Sequence, residues 1–291
     1  MPGNLARRIA FAAVAIPAVV GIAYLGRWAF AALLAAAALL GAREVYAFAR
    51  AQGVAPIGWL GLAGAAGMPL AVTWVVLAPS RPSLALVREG YLLMLWLLLV
   101  MAVALWRRGP GERPLTAVAV TVFGALYAGW LLSFAVYLRH PAPARFANDA
   151  AVGLPLLLYP LVLTWVGDTA AMAAGTAIGG RKLAPVLSPN KTWAGGIAGL
   201  LATTLISVVY AAVVFPRAGI AVSLAEGLGF GVAISLAGQA GDVAESLLKR
   251  EAGVKDSSAI IPGHGGVLDR LDSLYFAVPV AALLLRQFGI L

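Results

Sequence analysis

The chain has 291 residues, of which 62% are hydrophobic and only 11% charged, with a mean hydropathy of +0.93. An ordinary soluble domain carries about 25% charged residues, so this composition excludes a water-soluble globule, and the same apolar excess excludes disorder. The net charge of +9 accompanies neither a nucleic-acid-binding motif nor any cysteine; thiolate metal sites and cysteine nucleophiles are excluded, nucleic acid is not an expected partner, and the basic residues fall to loops beside a membrane.

Apolar runs occupy 9–25, 28–48, 57–78, 90–106, 115–138, 153–177, 193–215, 224–248 and 271–288. A hydrocarbon core ~30 Å thick takes about 20 helical residues per crossing. The runs therefore predict an all-α, polytopic membrane protein with about nine transmembrane helices. It forms a single integral membrane domain over 1–291, with 1–150 mainly helical scaffold and 151–291 the catalytic half. The first run follows Arg7-Arg8 but lacks a small-x-small cleavage site, so it reads as a retained helix rather than a signal peptide. Turn residues separate the early runs at Gly26-Arg27, Gln52-Gly53, Pro79 to Pro82, Arg107 to Pro114 and Arg139 to Asn148.

With nine spans, 14 of the 21 basic residues fall on the side of the amino terminus and seven on the other. That bias places the amino terminus and the 179–192 and 249–270 loops in the cytoplasm and the carboxyl terminus outside. The expected address is a multi-pass protein of a bacterial inner or plasma membrane. Gly61, Ala65, Gly195, Gly199, Gly227 and Gly231 sit at small-xxx-small spacing, which reads as close helix packing.

Eight of the twelve acids lie after residue 160. Asp168, Asp242 and Glu245 fall within or at the end of apolar runs, where an ionised carboxylate is costly unless it is paired or functional. Asp242, Glu245, Ser246 and Lys249 recur at i, i+3, i+4 and i+7, on one helix face. Asp269 and Asp272 repeat the i, i+3 spacing around Arg270. Two such helix ends converging near a basic loop supply oxygen ligands for a hard divalent cation such as Mg²⁺, and Lys249, Arg250, Lys255 and Arg270 suit a polyanion. Together they read as metal–phosphate chemistry.

The intervening loop, Ile261-Pro-Gly-His-Gly-Gly-Val267, offers Gly265 and Gly266 for close approach to phosphate, with His264 as a substrate contact. A second candidate is Ser188-Pro-Asn-Lys191-Thr192-Trp193, which reads as a helix N-terminus bearing a cation and hydroxyls, an anion-binding arrangement. It lacks the glycines of a Walker P-loop.

These residues resemble a known signature. Ser246-Leu-Leu-Lys249-Arg250, then Lys255-Asp256, then Pro262-Gly-His264-Gly265-Gly266-Val-Leu-Asp269-Arg270-Leu-Asp272 is similar to that of the phosphatidate cytidylyltransferases, or CDP-diacylglycerol synthases. Ser188 to Trp193 and Gly167-Asp168-Thr169 resemble two further motifs of that family, so the likeness covers roughly 160 to 275. The chain departs from the pattern at Met172 and Thr176, where the family usually carries an aromatic and an arginine, and at Ala194, where it usually carries an acid.

The resemblance implies a helical membrane enzyme, usually a homodimer, with a cytosol-facing funnel around a Mg²⁺-dependent site; a second, monovalent ion is left open. Its metal-binding acids fall on Asp242 and Asp269, with Asp272 and Asp168 in support. Lys249, Arg250, Lys255 and Arg270 would hold phosphates, and Ser188, Lys191, Thr192, Ser246, His264, Gly265 and Gly266 would line the pocket for CTP and phosphatidate. Two other classes fit less of the sequence: an ion-coupled transporter using Asp168, Asp242 and Glu245, and a CTP-dependent lipid or polyprenol kinase.

Overall fold

The computed structural model describes residues 2–78, 87, 90–141, 149–261, 263 and 265–291, with backbone alone for 2–12 and 149. The expected turn at Pro79 to Pro82 and most of that between Arg139 and Asn148 lie outside the described residues. Among the described residues, 79% are helical. Its helices are α1 (Pro2–Leu25), α2 (Arg27–Ala51), α3 (Gly58–Leu77), α4 (Tyr91–Arg107), α5 (Pro114–Arg139, with a π-helical turn at Leu126–Trp130) and α6 (Asp149–Ile178). After a short hairpin follow α7 (Trp193–Arg217), α8 (Leu224–Glu251), the single turn α9 (Leu268–Leu271) and α10 (Leu274–Gln287). Every expected apolar run falls on a helix.

Five helices among the described residues are long and apolar enough to cross a bilayer: α2, α3, α5, α6 from Ala150, and α7. Two shorter apolar helices, Ala13–Leu25 and Tyr91–Arg107, accompany them. This is a helical membrane protein. The departure from all-α is the antiparallel hairpin β1 (Lys182–Ala184) and β2 (Ser188–Thr192), irregular in register between Lys182 and Ala184. Its position between Gly179 and Gly180, both at positive φ, and the start of α7 explains why hydropathy alone did not reveal it.

The chain divides into two compact units. The first comprises Met1–Val136 with Glu251–Arg270, and the second Tyr137–Arg250 with Leu271–Leu291. In the first unit the fully buried Tyr46 of α2 donates its hydroxyl to the Thr121 carbonyl at 2.7 Å. A Cβ at Gly61 or Gly124 would strike its ring, so these two glycines clear the space in which α2, α3 and α5 meet. Ile57, Leu60, Val100, Ala104 and Val118 form an apolar core beside it.

In the second unit α6 and α7 pack through small residues. A Cβ at Gly195 would meet the Ala171 carbonyl, and one at Gly199 would meet the Gly167 carbonyl and the Ala171 side chain. Such close approach brings extended van der Waals contact in a medium that gives helices little hydrophobic reason to associate. Gly227 and Gly231 perform the same service on α8, against Ala211 and against Thr204 and Ser207. The far end of α8 is notched for the segment that starts α10: at Gly241 a Cβ would meet the Asp272 carbonyl and Phe276.

Candidate active site

The second unit holds seven of the charged residues singled out above: Asp168, Lys191, Asp242, Glu245, Lys249, Arg250 and Asp272. Gly241 admits the backbone of Asp272, which brings that acid beside its neighbour on α8, Asp242. Close α6–α7 packing places Asp168, adjacent to Gly167, within electrostatic reach of the same group. Lys191 on β2 reaches across to Asp242, with Nζ 2.5 Å from Oδ2 and both side chains partly exposed. One turn further along α8, the fully buried Glu245 pairs with Lys249, i to i+4, at 3.3 Å.

Asp272 lies between α9 and α10, outside the five helices long and apolar enough to cross a bilayer. Burial, then repulsion from Asp242, pushes its carboxyl up to about 6; repulsion from Asp168 adds to this, while the Ser273 amide bond and Lys249 oppose it. Asp242, Asp272 and Asp168 thus crowd negative charge that two ammonium groups do not fully relieve. By donor type and charge they fit a hard divalent cation. Among the described residues no three acids or histidines stand close enough to complete a chelate.

The hairpin revises the reading of 188–193. Ser188 and Lys191 lie on a strand, and the helix starts at Trp193, capped by Thr192, whose Oγ1 accepts from Gly195 N at 3.1 Å. Arg250 donates through Nε to the Leu187 carbonyl at 3.1 Å, so it holds the hairpin turn to α8. Ser246 is buried on α8. At the other end of α8, about 24 Å from Asp242 at 1.5 Å per residue, Glu226 and Ser223 form a reciprocal cap and take no part in the cluster.

The rest of the predicted residues belong to the first unit. Asp269 accepts at Oδ2 from Ser257 N at 2.7 Å, Ser257 Oγ at 2.8 Å and Gly266 N at 2.8 Å. Gly265 has φ +79°, and a Cβ there would press on the Asp269 carboxylate. Arg270 and Gly265 line a cavity of about 390 Å³ together with Asp256, Ser258, Ala259, Ile261 and Gly263. Lys255 is exposed on the same loop. His264 lies outside the described residues.

Sequence reasoning passed over Glu44, Ser257 and Ser258. Glu44 sits inside the 28–48 run and met the criterion, an acid within an apolar segment, that singled out Asp168. It is buried on α2 and accepts from Ser257, Ser258, Val267 and Leu268.

Fold and site define a class: a helical membrane protein with clustered carboxylates and lysines on one unit and a glycine-rich, carboxylate-anchored loop on the other, the equipment of phosphoryl or nucleotidyl transfer. More specifically, the chain belongs to the cytidylyltransferase family, whose model matches residues 6–288, and it is a nucleotidyltransferase. It is 32% identical to phosphatidate cytidylyltransferase 5, chloroplastic, of Arabidopsis thaliana, over 93% of this chain and 69% of the relative. It is 46% identical to the phosphatidate cytidylyltransferase of Haemophilus influenzae over 46% of this chain, and 36% identical to that of Brucella suis over 65%. These two matches span 47% and 61% of the relatives' own lengths.

Lys191→Ala tests the hairpin's part in the site. It is expected to raise KM for substrate about tenfold in a steady-state assay, with little loss of stability because the Lys191–Asp242 pair is partly solvated. Unchanged kinetics would remove the hairpin from the site.

Proposed function

We propose that the chain is a phosphatidate cytidylyltransferase: CTP + phosphatidate → CDP-diacylglycerol + pyrophosphate. The observation that carries this reading is the grouping of Asp242, Asp272 and Asp168 with Lys191 and Lys249 at one end of α8, in a chain of this family.

A phosphate oxygen of phosphatidate attacks the α-phosphorus of CTP. The new P–O bond forms as the bond to the β-phosphate oxygen breaks, and pyrophosphate leaves with that electron pair. The nucleophile is anionic at neutral pH, so no strong base is required. The obstacle is repulsion between two polyanions beside a low-dielectric medium, which makes positioning and charge neutralisation the main sources of rate.

Asp242 would hold Mg²⁺, with Asp272 and Asp168 in support, and Asp269 would be the metal-binding acid of the loop. When bound, the ion supplies positive charge against the phosphates. Lys191 and Lys249, each paired with a carboxylate, and Arg250, bonded to the Leu187 carbonyl, receive phosphate oxygens. Lys255 and Arg270 serve the same purpose on the loop, and Ser188, Thr192, Ser246, His264, Gly265 and Gly266 line the pocket.

A membrane setting follows from the lipid, since each CH₂ exposed to water costs ~0.8 kcal/mol. Phosphatidate enters sideways from the leaflet and CTP from the cytoplasm, through a funnel on that side. The chain works as a homodimer, each copy one membrane domain of nine spans, amino terminus inside, in a bacterial inner or plasma membrane.

The test is incubation of purified protein with labelled CTP, phosphatidate and Mg²⁺, with and without chelator. Labelled CDP-lipid and pyrophosphate are expected, with product falling at least about 100-fold in excess chelator. CDP with a phosphorylated lipid would instead mean γ-phosphoryl transfer and overturn the assignment.

A further inference from the structure

Glu44 is 2% exposed on α2 and plays no part in the reaction as described. Its Oε1 accepts from Ser258 Oγ at 2.6 Å and Val267 N at 3.0 Å, and its Oε2 from Ser257 Oγ at 2.9 Å and Leu268 N at 2.8 Å. These donors come from both ends of one loop, 213 to 224 positions further along the chain. A buried carboxylate survives where donors replace its lost water, and charge-assisted bonds are the stronger kind.

The anchor continues to Asp269. The Ser257 hydroxyl lies 2.9 Å from Glu44 Oε2 and 2.8 Å from Asp269 Oδ2. Having one proton, it donates to one carboxylate at a time, while Ser257 N and Gly266 N hold Asp269 from the backbone. Gly266 is wedged between the two anchors: a Cβ there would strike Ser257 Oγ and Glu44 Oε1. Ser258, bonded to Glu44, also forms part of the cavity wall, with Arg270.

We propose that Glu44 is a positioning residue for nucleotidyl transfer. Its carboxylate fixes the course of the 257–268 loop and, through Ser257 and Gly266, sets the orientation of Asp269 and the shape of the adjoining cavity. This rests on the functional reading in holding that Asp269 and the cavity serve cytidylyl transfer.

Glutamine at 44 keeps the side-chain length but offers one oxygen and one NH₂ where two oxygens each take a hydroxyl and a backbone N–H. Either orientation points the amide NH₂ at Val267 N–H or Leu268 N–H, donor against donor. The test combines hydrogen–deuterium exchange with steady-state kinetics on the full-length, detergent-solubilised protein. In Glu44→Gln, exchange across 257–268 is expected to rise at least about tenfold. Its kcat per folded molecule should fall at least about tenfold, with KM for CTP and phosphatidate within about threefold. Glu44→Asp should recover part of the lost kcat.

A residue that only helps the chain fold would lower the yield and thermal midpoint and leave kcat per folded molecule intact. That outcome, or unchanged exchange in the loop, overturns the proposal. Should Glu44→Gln fail to fold, Ser258→Ala removes a single donor from the same anchor. It is expected to raise loop exchange and lower kcat about threefold, and no change in either measure sinks the idea. Wild-type protein inactive on CTP and phosphatidate would overturn the reaction assignment and this role together, whereas active wild type with an unimpaired Glu44→Gln overturns this role alone.

Discussion

Asp242→Asn is expected to leave a folded, membrane-inserted protein whose CTP-dependent product formation is at least about 100-fold slower, a loss of about 2.7 kcal/mol of transition-state stabilisation. The substitution is nearly isosteric. It breaks the ion pair with Lys191, but both side chains are partly exposed, so the stability cost is at most about 1 kcal/mol. It also removes the largest repulsion acting on Asp272, which favours the fold. Stability therefore moves little, while the site loses a proposed metal ligand and the counter-charge that places Lys191. Activity should need more Mg²⁺ for whatever remains. Glu226→Gln, at the opposite end of the same helix, is the control and should turn over normally. Turnover of Asp242→Asn within about threefold of wild type, at equal thermal midpoint, would remove Asp242 from the reaction.

What the sequence disclosed follows from the range over which its signals act. Hydropathy is a property of neighbours in the chain, and each of the nine apolar runs is helical. The i, i+3, i+4, i+7 pattern from Asp242 to Lys249 placed Glu245 and Lys249 on one face, and there they form an ion pair. Small-xxx-small spacing anticipated the close seats of Gly195 and Gly199 against α6. The hairpin was hidden because strands of three and five residues between glycines and prolines carry too few side chains for a period of two to register. The notch at Gly241 that seats Asp272, and the hold of Glu44 on a loop more than 200 residues away, are tertiary facts without a local signature. Glu44 nonetheless left a trace, as a carboxylate in an apolar run. The first half of the chain was read as scaffold, yet it supplies the residue that anchors the signature loop.

Asp272→Asn is expected to raise the thermal stability of the chelator-treated protein at pH 8 and to lower its turnover. In the folded state burial, then Asp242, lift this carboxyl from its ordinary 3.8 to about 6. An acid with a raised folded-state pKa is held protonated by the fold while the unfolded chain has already released the proton. Its effect is therefore absent below about pH 4, grows as a penalty between about pH 4 and 6, and is constant above. A shift of this size corresponds to about 2–3 kcal/mol. Asparagine carries no charge at any of these values and keeps the oxygen that accepts from Ser273 N at 2.6 Å. The thermal midpoint of the variant in detergent should accordingly exceed that of wild type by about 4–8 °C at pH 8, with the difference gone by pH 4. Saturating Mg²⁺ should shrink the gap from the other side, by stabilising wild type more than the variant. A midpoint that falls at pH 8 would show that the Asp272 charge supports the fold, and the crowding of carboxylates at this end of α8 would no longer support the proposal of a cation there.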